Sequence, residues 1–592
     1  MLVTVVLLLI AVVLIYFLAR SRQRKLLFFK QLDIPGPAPN LLFGNLHAMA
    51  GKKYVDTLSD WTKEYGKLYG YYEGSLPVVV TSDPEIIKEV FIKQFHNFYG
   101  RRLLPVQPEP DTGADKDVHI LFSRGHRWKR LRTTISPSFS ATKMKKMLPL
   151  IKGCIGETMT ILEKKSMEGQ AFDIHRVLQG LTIDVIGTCA FGLQPQFQKN
   201  RDEDPFIKRC QRLFTDFAKR PFIVVLGAIF PELSRFWWRL CKFVSAYTYD
   251  DMDWLFTNLG SVIDKRKSMN VEASNAGTLD KRNKPVDLLQ ILLDAEVGSG
   301  SSRGNSVSHL TMHRSEEDFN SNYEVDTSGN FSPELSSISA RNYLTSKLES
   351  QQSKVESIGH QNQDKWSCPA KASCEKPKTR LSLDEVKASS VVFLIGGYET
   401  LSNLLAYVAY ELAVNPQCQQ TLQEELDSVF DEEAELTYDK LSCLKYLDMI
   451  ISETLRKYPI ASILAGRLCM NSTTVKGISI PQGTTVQPDI WSLHYDPEHW
   501  GPTDPRQFEP ERFTPENVAK RHPMVYLPFG AGPKNCIGMR FAMTECKVTL
   551  ATLFKRFNIE TSQETQIPCE LVETASLSPK DGVYVKLVPR NV

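Results

Sequence analysis

The chain has 592 residues, 42% hydrophobic and 10% aromatic, which is enough to bury a large core. A formal net charge of +3 is small for this length and excludes a nucleic-acid role built on a broad basic surface. Twelve cysteines are scattered without a C-x-x-C pair, which argues against structural zinc; in a reducing cytosol most are free thiols packed as small hydrophobes.

Residues 1–18, MLVTVVLLLIAVVLIYFL, carry no charge, and their length is near the lower limit for a bilayer-spanning helix. Arg20, Arg22, Arg24 and Lys25 follow at once. Basic flanks stay cytosolic, so residues 1–19 predict a single anchor with the body of the chain in the cytosol. A cleaved signal peptide would carry its basic residues before the apolar run and a small-x-small site after it; neither is present. Residues 20–40 form a basic stop and a stiff hinge, Asp33-Ile34-Pro35-Gly36-Pro37-Ala38-Pro39, ahead of the main body of the chain over 41–592.

Residues 68–81 predict a β-hairpin, with strands over 68–72 and 77–81 and a turn at Glu73-Gly74-Ser75. Asp83-Pro84 opens a helix, and the pattern stays mostly helical to about residue 265. Within it, Trp128-Lys129-Arg130-Leu131-Arg132 puts Trp128 and Arg132 one turn apart on one face. An indole N–H and a guanidinium are suitable donors to a buried carboxylate. Residues 221–244 mix Trp237, Trp238, Phe222 and aliphatics with Arg235 and Arg239. That mixture predicts a second, shallow membrane contact, with a buried core helix as the alternative. Residues 297–380 are rich in Ser, Asn, Gln, Glu and Lys. They hold too few aliphatics to offset their ordering entropy, so they predict a disordered, dispensable insert containing Cys368 and Cys374.

Ser382-Leu383-Asp384-Glu385 is a capping box, and no proline follows until Pro416, so one helix is expected from 383 to about 414. Asn415-Pro416 then predicts an N-cap and first-turn pair for the next helix. Gly396 and Gly397 each cost a mid-helix position roughly 1 kcal/mol relative to alanine. Close approach of a ligand, a local opening that holds water or dioxygen, or tight helix packing would each explain them. Glu399 and Thr400 beside them offer an acid and a hydroxyl for proton delivery to a bound ligand. Glu453 and Arg456 stand three residues apart on an otherwise apolar helix, so the pair is expected to be partly buried and to need a further partner; Arg512 is a good third member. A last hairpin is predicted over 475–480 and 484–487, with Pro481 and Gly483 in turn positions. Long helices with a few small sheets make a mainly α fold.

Near the C-terminus the chain reads Phe529-Gly530-Ala531-Gly532-Pro533-Lys534-Asn535-Cys536-Ile537-Gly538. The glycines let the backbone turn tightly and aim N–H groups at the Cys536 sulfur. A thiolate donates electron density to iron, which favours O–O cleavage. Phe529 is placed to shield the sulfur side of a flat macrocycle. This loop resembles the haem-binding loop of cytochrome P450, the haem-thiolate monooxygenase family. Glu399-Thr400 resembles its oxygen-activation motif, and Glu453, Arg456 and Arg512 resemble its Glu–Arg–Arg triad. Residues 128–150 and 397–400 look most like the microsomal branch that holds drug- and steroid-oxidising enzymes and thromboxane synthase.

The resemblance implies a cytochrome P450 fold with a single-pass anchor in the endoplasmic reticulum membrane. It implies haem b with Cys536 as the metal ligand, and Trp128, Arg132, Arg467 and Lys534 as cofactor-binding residues facing the propionates, with Arg101 a weaker candidate. It places the substrate pocket after Arg102, near Phe222, along 395–400 and at Ile463-Leu464. It implies one-oxygen insertion from O2 into an apolar substrate (steroid, fatty acid or xenobiotic). NADPH–cytochrome reductase is the implied electron donor, with cytochrome b5 as an additional one. Two other readings stand beside it: a peroxide isomerase of thromboxane-synthase type on the same haem, and a catalytically silent haem- or lipid-binding membrane protein. The chain departs from the family pattern at Lys534, commonly Arg, at Leu401, often a hydroxyl residue, and in the length of 297–380.

Overall fold

The uncharged N-terminal run forms helix α1, Leu2–Leu26, and the basic residues lie within its last two turns instead of after it. The structure, a computed structural model, describes residues 2–103, 119–193, 197–200, 204–219, 222–234, 236–237, 239–240, 248–275, 287–296, 381–430 and 436–590. The insert 297–380 with Cys368 and Cys374, the stretch just after Arg102, and Trp238 and Arg235 all lie outside the described residues. The other helices used below are α2 (Gly125–Ile135), α3 (Ala141–Glu168), α4 (Ile174–Phe191), α5 (Phe222–Ile229), α6 (Leu383–Val414), α7 (Pro416–Val429), α8 (Lys445–Lys457) and α9 (Met539–Arg556).

Val3–Leu26 is long and apolar enough to cross a bilayer, and its apolar window buries nothing against the body. Its basic end does pack. The buried Arg22 guanidinium donates to Leu42 O (2.7 Å) and Ile229 O, and lies 5.3 Å from the Phe230 ring. Lys25 pairs with Glu232 at 2.8 Å. The proline-rich segment is pinned to the first strand: Pro35 O accepts the Gly70 N–H (2.8 Å), and the Asn45 amide donates to Pro37 O and Ala38 O.

Eleven short strands are described: β1 (Leu68–Glu73), β2 (Leu76–Thr81), β3 (Phe172–Asp173), β4 (Arg467–Leu468), β5 (Thr473–Val475), β6 (Ile478–Ile480), β7 (Thr485–Pro488), β8 (Phe557–Glu560), β9 (Leu571–Glu573), β10 (Leu577–Pro579) and β11 (Tyr584–Pro589). One sheet runs β1-β2-β7-β4, another β3-β11-β8, and β5-β6 and β9-β10 are hairpins. The β1–β2 hairpin turns where the sequence predicts it. The hairpin expected over 475–480 and 484–487 is a different object. The chain reverses at Lys476-Gly477, both at positive φ, so β5 pairs with β6; β7 instead joins the first sheet, parallel to β2 and antiparallel to β4.

α6 is the central helix. Its capping box is complete, with Ser382 Oγ accepting from Glu385 N (3.2 Å) and Glu385 Oε2 accepting from Ser382 N (3.0 Å). The same carboxylate pairs with Arg127 and Arg130 of α2, tying α6 to that helix. The C-terminal half of α6 is buried in a core shared with α3, α4, α8 and α9. Asn415 and Pro416 stand at the N-cap and first turn of α7 as expected, but the Asn415 side chain makes no cap bond: its amide donates back to Glu411 O (2.8 Å), beside the Asn415 backbone N–H that reaches the same carbonyl (2.9 Å). In the segment 221–244, Trp237 is buried, and its indole N–H donates to Phe230 O at 3.0 Å. Among the described residues there, Leu233 and Phe236 are exposed, at 50% and 54%.

Candidate functional site

Cys536 lies in the loop that leads into α9. Gly532 takes a left-handed φ of 67°, and a side chain there would overlap the Phe91 carbonyl, so the loop closes against that backbone only with glycine. Cys536 N–H donates to Phe529 O at 2.8 Å, which completes the turn, and the Phe529 ring packs against the main core. Gly538 caps α9, and the Gly538 and Met539 N–H groups reach the sulfur. Burial pushes the Cys536 thiol up; the Gly538 N–H, Arg132, Arg101 and the Met539 N–H pull it back. Cys536 is nonetheless accessible at its surface, so it is the density of groups around the sulfur, not loss of its own contact with solvent, that raises the thiol.

Around the loop stand cations drawn from distant parts of the chain. Arg132 of α2 donates to Asn535 O (2.8 Å) and Asn535 Oδ1 (2.6 Å). Arg101 donates to Lys534 O (3.0 Å) and Leu464 O. Arg467 donates to Ala465 O (2.7 Å), reaches Ala531 O (3.4 Å) and stacks 4.2 Å over the Phe91 ring. Lys534 donates to Ser123 O (2.9 Å), with its ammonium 4.9 Å over the buried Trp128 ring. The structure thus brings Trp128, Arg132, Arg467, Phe529, Lys534 and Cys536 together, and Arg101, the weaker expectation, joins them. Arg124 also acts on Lys534; it lies one helical turn before Trp128, a spacing that could have pointed to it.

Among the described residues, no carboxylate pairs with Arg101, Arg132, Arg467 or Lys534. Burial, then Arg101, Arg467, Arg124 and Arg132, push the Lys534 ammonium well below its usual range. Burial and Arg101 do the same to Arg467, so the charges acting most strongly on both groups are other cations. The Nε atoms of Arg132 and Arg467 are buried with no partner. Buried, mutually repelling cations with spare donors call for an anionic guest. Haem b, with two carboxylates and an iron that takes a thiolate, fits this donor set.

α6 carries the second half of the site. It is unbroken through Gly396 and Gly397, so the local opening does not form. A side chain at Gly397 would overlap Ile186 of α4, which assigns that glycine to helix packing, whereas Gly396 faces open space. Thr400 Oγ1 donates back to Gly396 O at 2.6 Å. Glu399 is buried, and its Oε1 accepts from Ser576 Oγ (2.8 Å), Ser578 Oγ (2.8 Å) and Thr574 Oγ1 (3.3 Å). Burial lifts its carboxyl to about 7 against the opposing pull of Ser578, Ser576 and Thr574. The sequence reading missed these hydroxyls; their signal is the alternation Thr574-Ala-Ser576-Leu-Ser578, which puts three hydroxyls on one side of an extended segment.

The Glu–Arg–Arg set supports the loop from behind. Arg456 grips Glu453 through two bonds (2.7 and 2.8 Å) and also donates to His494 O and Pro505 O. Arg512 Nε lies 3.4 Å from Glu453 Oε1. His494 relays the hold: its Nδ1–H donates to Arg456 O (3.0 Å), its Nε2 accepts from Leu527 N (3.0 Å), and Leu527 O takes the Gly530 N–H (3.1 Å).

The family model for cytochrome P450 matches residues 34–316 and 336–587. The Caenorhabditis elegans cytochrome P450 CYP13A3 is 35% identical over 95% of this chain and 95% of its own length. CYP13A2 from the same organism is 36% identical over 90% and 88%. Thromboxane-A synthase of Sus scrofa is 32% identical over 95% and 93%.

Proposed function

The chain belongs to the cytochrome P450 family, and from that premise we propose that it is a membrane-anchored monooxygenase of apolar small molecules. The family binds haem b through a cysteine thiolate and consists generally of monooxygenases. The observation that carries the reading is the buried, anion-seeking ring of Arg101, Arg132, Arg467 and Lys534 around one sulfur at a helix N-terminus.

Cys536 is the proposed iron ligand, steadied as a thiolate by the Gly538 and Met539 N–H groups and by two arginines. Arg132 and Arg467 have buried Nε donors free for the carboxylates, and Arg101 stands with them. Lys534 acts through Trp128 and Ser123, whose positions its ammonium fixes. Phe529 packs behind the sulfur. Bound haem supplies the redox chemistry, one-oxygen insertion from dioxygen with electrons from NADPH. The chain supplies the protons. Glu399 titrates near neutrality, so at pH 7 a large share of molecules hold a proton there. Thr400 holds a hydroxyl at the open Gly396 face of the same helix.

NADPH–cytochrome reductase is the proposed electron donor, with cytochrome b5 as an additional one. α1 is the proposed anchor in the endoplasmic reticulum membrane, and exposed Leu233 and Phe236 make the shallow second contact. Steroids, fatty acids and xenobiotics are the proposed substrate classes.

The test is the carbon monoxide spectrum of the reduced protein, followed by NADPH consumption with reductase during a ligand screen. A thiolate-type band is expected, absent in Cys536→Ser and Cys536→His. A Cys536→Ala protein that keeps the band and the activity overturns the assignment. Turnover of lipid peroxides without NADPH would favour the isomerase, and haem binding without either activity would favour a silent binder.

A further inference from the structure

Glu399 is held asymmetrically. Oε1 takes hydroxyls from three residues of the β9–β10 hairpin, and Oε2 is buried with no partner. The hydroxyls are themselves oriented. Asn403, one turn further along α6, donates its amide hydrogens to Ser578 Oγ (2.8 Å), Ser576 Oγ (3.2 Å) and Leu577 O (3.2 Å). Leu577 O can only accept, which fixes the donating end of the amide, and Asn403 Oδ1 lies 2.8 Å from His175 Nε2 on α4, which donates to it in the tautomer with the hydrogen on Nε2. The two serine oxygens also lie 3.2 Å apart, but each is only 2.8 Å from Glu399 Oε1; with both oxygens accepting from Asn403, each hydroxyl hydrogen goes to the nearer, charged acceptor. Polarity therefore runs one way, from His175 through Asn403 and the serines to Oε1.

We propose that Ser576 and Ser578, polarised through Asn403 and His175, are positioning residues that confine the Glu399 proton to Oε2. With its lone pairs engaged by donors, Oε1 is the carbonyl oxygen of the neutral acid, and Oε2 carries the hydrogen. The acid then presents its proton from the atom that no protein group claims, and regains one at the same atom. Residues of the C-terminal hairpin, far from α6 in sequence, thereby govern an acid that the proposed oxygen chemistry uses. The inference rests on that reading of Glu399 for its purpose, but the location of the proton can be tested without it. Among the described residues, the titratable groups facing this carboxyl are Tyr407 on its own helix, a phenol pushed well above its usual range by burial, then by Cys569 and Glu399, and His175 across Asn403.

The experiment is infrared difference spectroscopy on the full-length, haem-loaded protein, wild type minus Glu399→Gln, across pH 5.5 to about 9, a window centred on the near-neutral carboxyl. It needs no substrate. The wild type should show a protonated carboxyl band that disappears with a midpoint near pH 7, at a frequency lowered by hydrogen bonds to its C=O. In Ser576→Ala/Ser578→Ala the band should rise in frequency, and the midpoint should rise by about one pH unit for each donor lost. Ser578→Thr should restore both relative to Ser578→Ala. If the double variant loses haem, the two single alanine variants decide the same question. An unchanged frequency and midpoint overturns the proposal, because a purely structural cradle moves melting temperature and neither of these. Product per NADPH in Glu399→Gln, measured separately, tests the underlying role. Unchanged coupling with a shifted band removes the catalytic reading and leaves the proton placement standing; lost coupling with an unshifted band does the reverse.

Discussion

Acidification reports on how the cysteine loop is held. His494 is fully buried and bridges Arg456 to the loop through two bonds that need opposite roles from its nitrogens, a donor at Nδ1 and an acceptor at Nε2. Only the neutral ring provides both. A proton on Nε2 would face the Leu527 N–H with a second donor and set a cation beside Arg456. Burial, then Arg456, depress its pKa from 6.5 to about 3, with the Arg456 carbonyl offsetting part of this. The sign follows from proton uptake. Between those values the unfolded chain binds a proton that the folded one refuses, so the stability of the neutral ring is whole above about pH 6.5. It drains away as the pH falls towards 3. At roughly 1.4 kcal/mol per pH unit, moving from pH 7 to pH 5 should remove about 2 kcal/mol through this one residue. His494→Gln keeps an amide donor and an acceptor and does not titrate. Haem-loaded wild type and His494→Gln should be unfolded in denaturant at both pH values and followed by the thiolate-type carbon monoxide band. The carboxylates that titrate in both proteins cancel in the comparison. The variant should lose about 2 kcal/mol less than the wild type between pH 7 and pH 5. An equal loss would mean that the ring is not held neutral between Arg456 and the loop.

Thr400→Ala should keep full haem content yet divert electrons to peroxide, read as product and peroxide per NADPH; unchanged coupling in both this variant and Glu399→Gln removes their proposed role. Glu453→Ala leaves two buried guanidinium groups without their carboxylate and should cost about 3–5 kcal/mol, seen as loss of haem-loaded protein on expression. Deleting most of 297–380 should leave haem content and melting temperature nearly unchanged; a collapse of either would show that the insert packs on the core. Removing residues 1–25 should leave a protein that still floats partly with liposomes, and adding Leu233→Glu and Phe236→Glu should release more of it. Complete solubility of the truncated protein at low salt would eliminate the second contact.

Which parts of this architecture could be read beforehand follows from how far apart the interacting residues lie. The Ser382–Glu385 box, the length of α6, the β1–β2 turn and the Glu453–Arg456 pair all rest on spacings of a few residues, and each stands where the sequence puts it. Asn415 shows the limit even at short range: it stands at the N-cap position ahead of Pro416, yet its side chain makes no cap bond and its amide donates back to Glu411 O. β7 failed differently. The 475–487 stretch has turn residues enough for one hairpin or two, and only β2, some 400 positions earlier, decides that Thr485–Pro488 leaves its neighbours for another sheet. Trp237 looked like a lipid-facing aromatic because composition cannot say that Phe230 O would capture its indole. At the site the same rule holds. Cys536, Trp128 and Arg132 announce themselves through local motifs, but the charge balance that suits their surroundings to an anionic guest is a sum over residues 101 to 534, and no window of sequence contains it. Lys534 makes the point most directly. As a residue beside a cysteine it reads as one more donor to an anion; packed, it is committed to Ser123 and Trp128, and the spare donors belong to Arg132 and Arg467. Its replacement by Arg should therefore act first on Trp128 and Ser123, because the wider guanidinium must fit a space now filled by one ammonium against a ring.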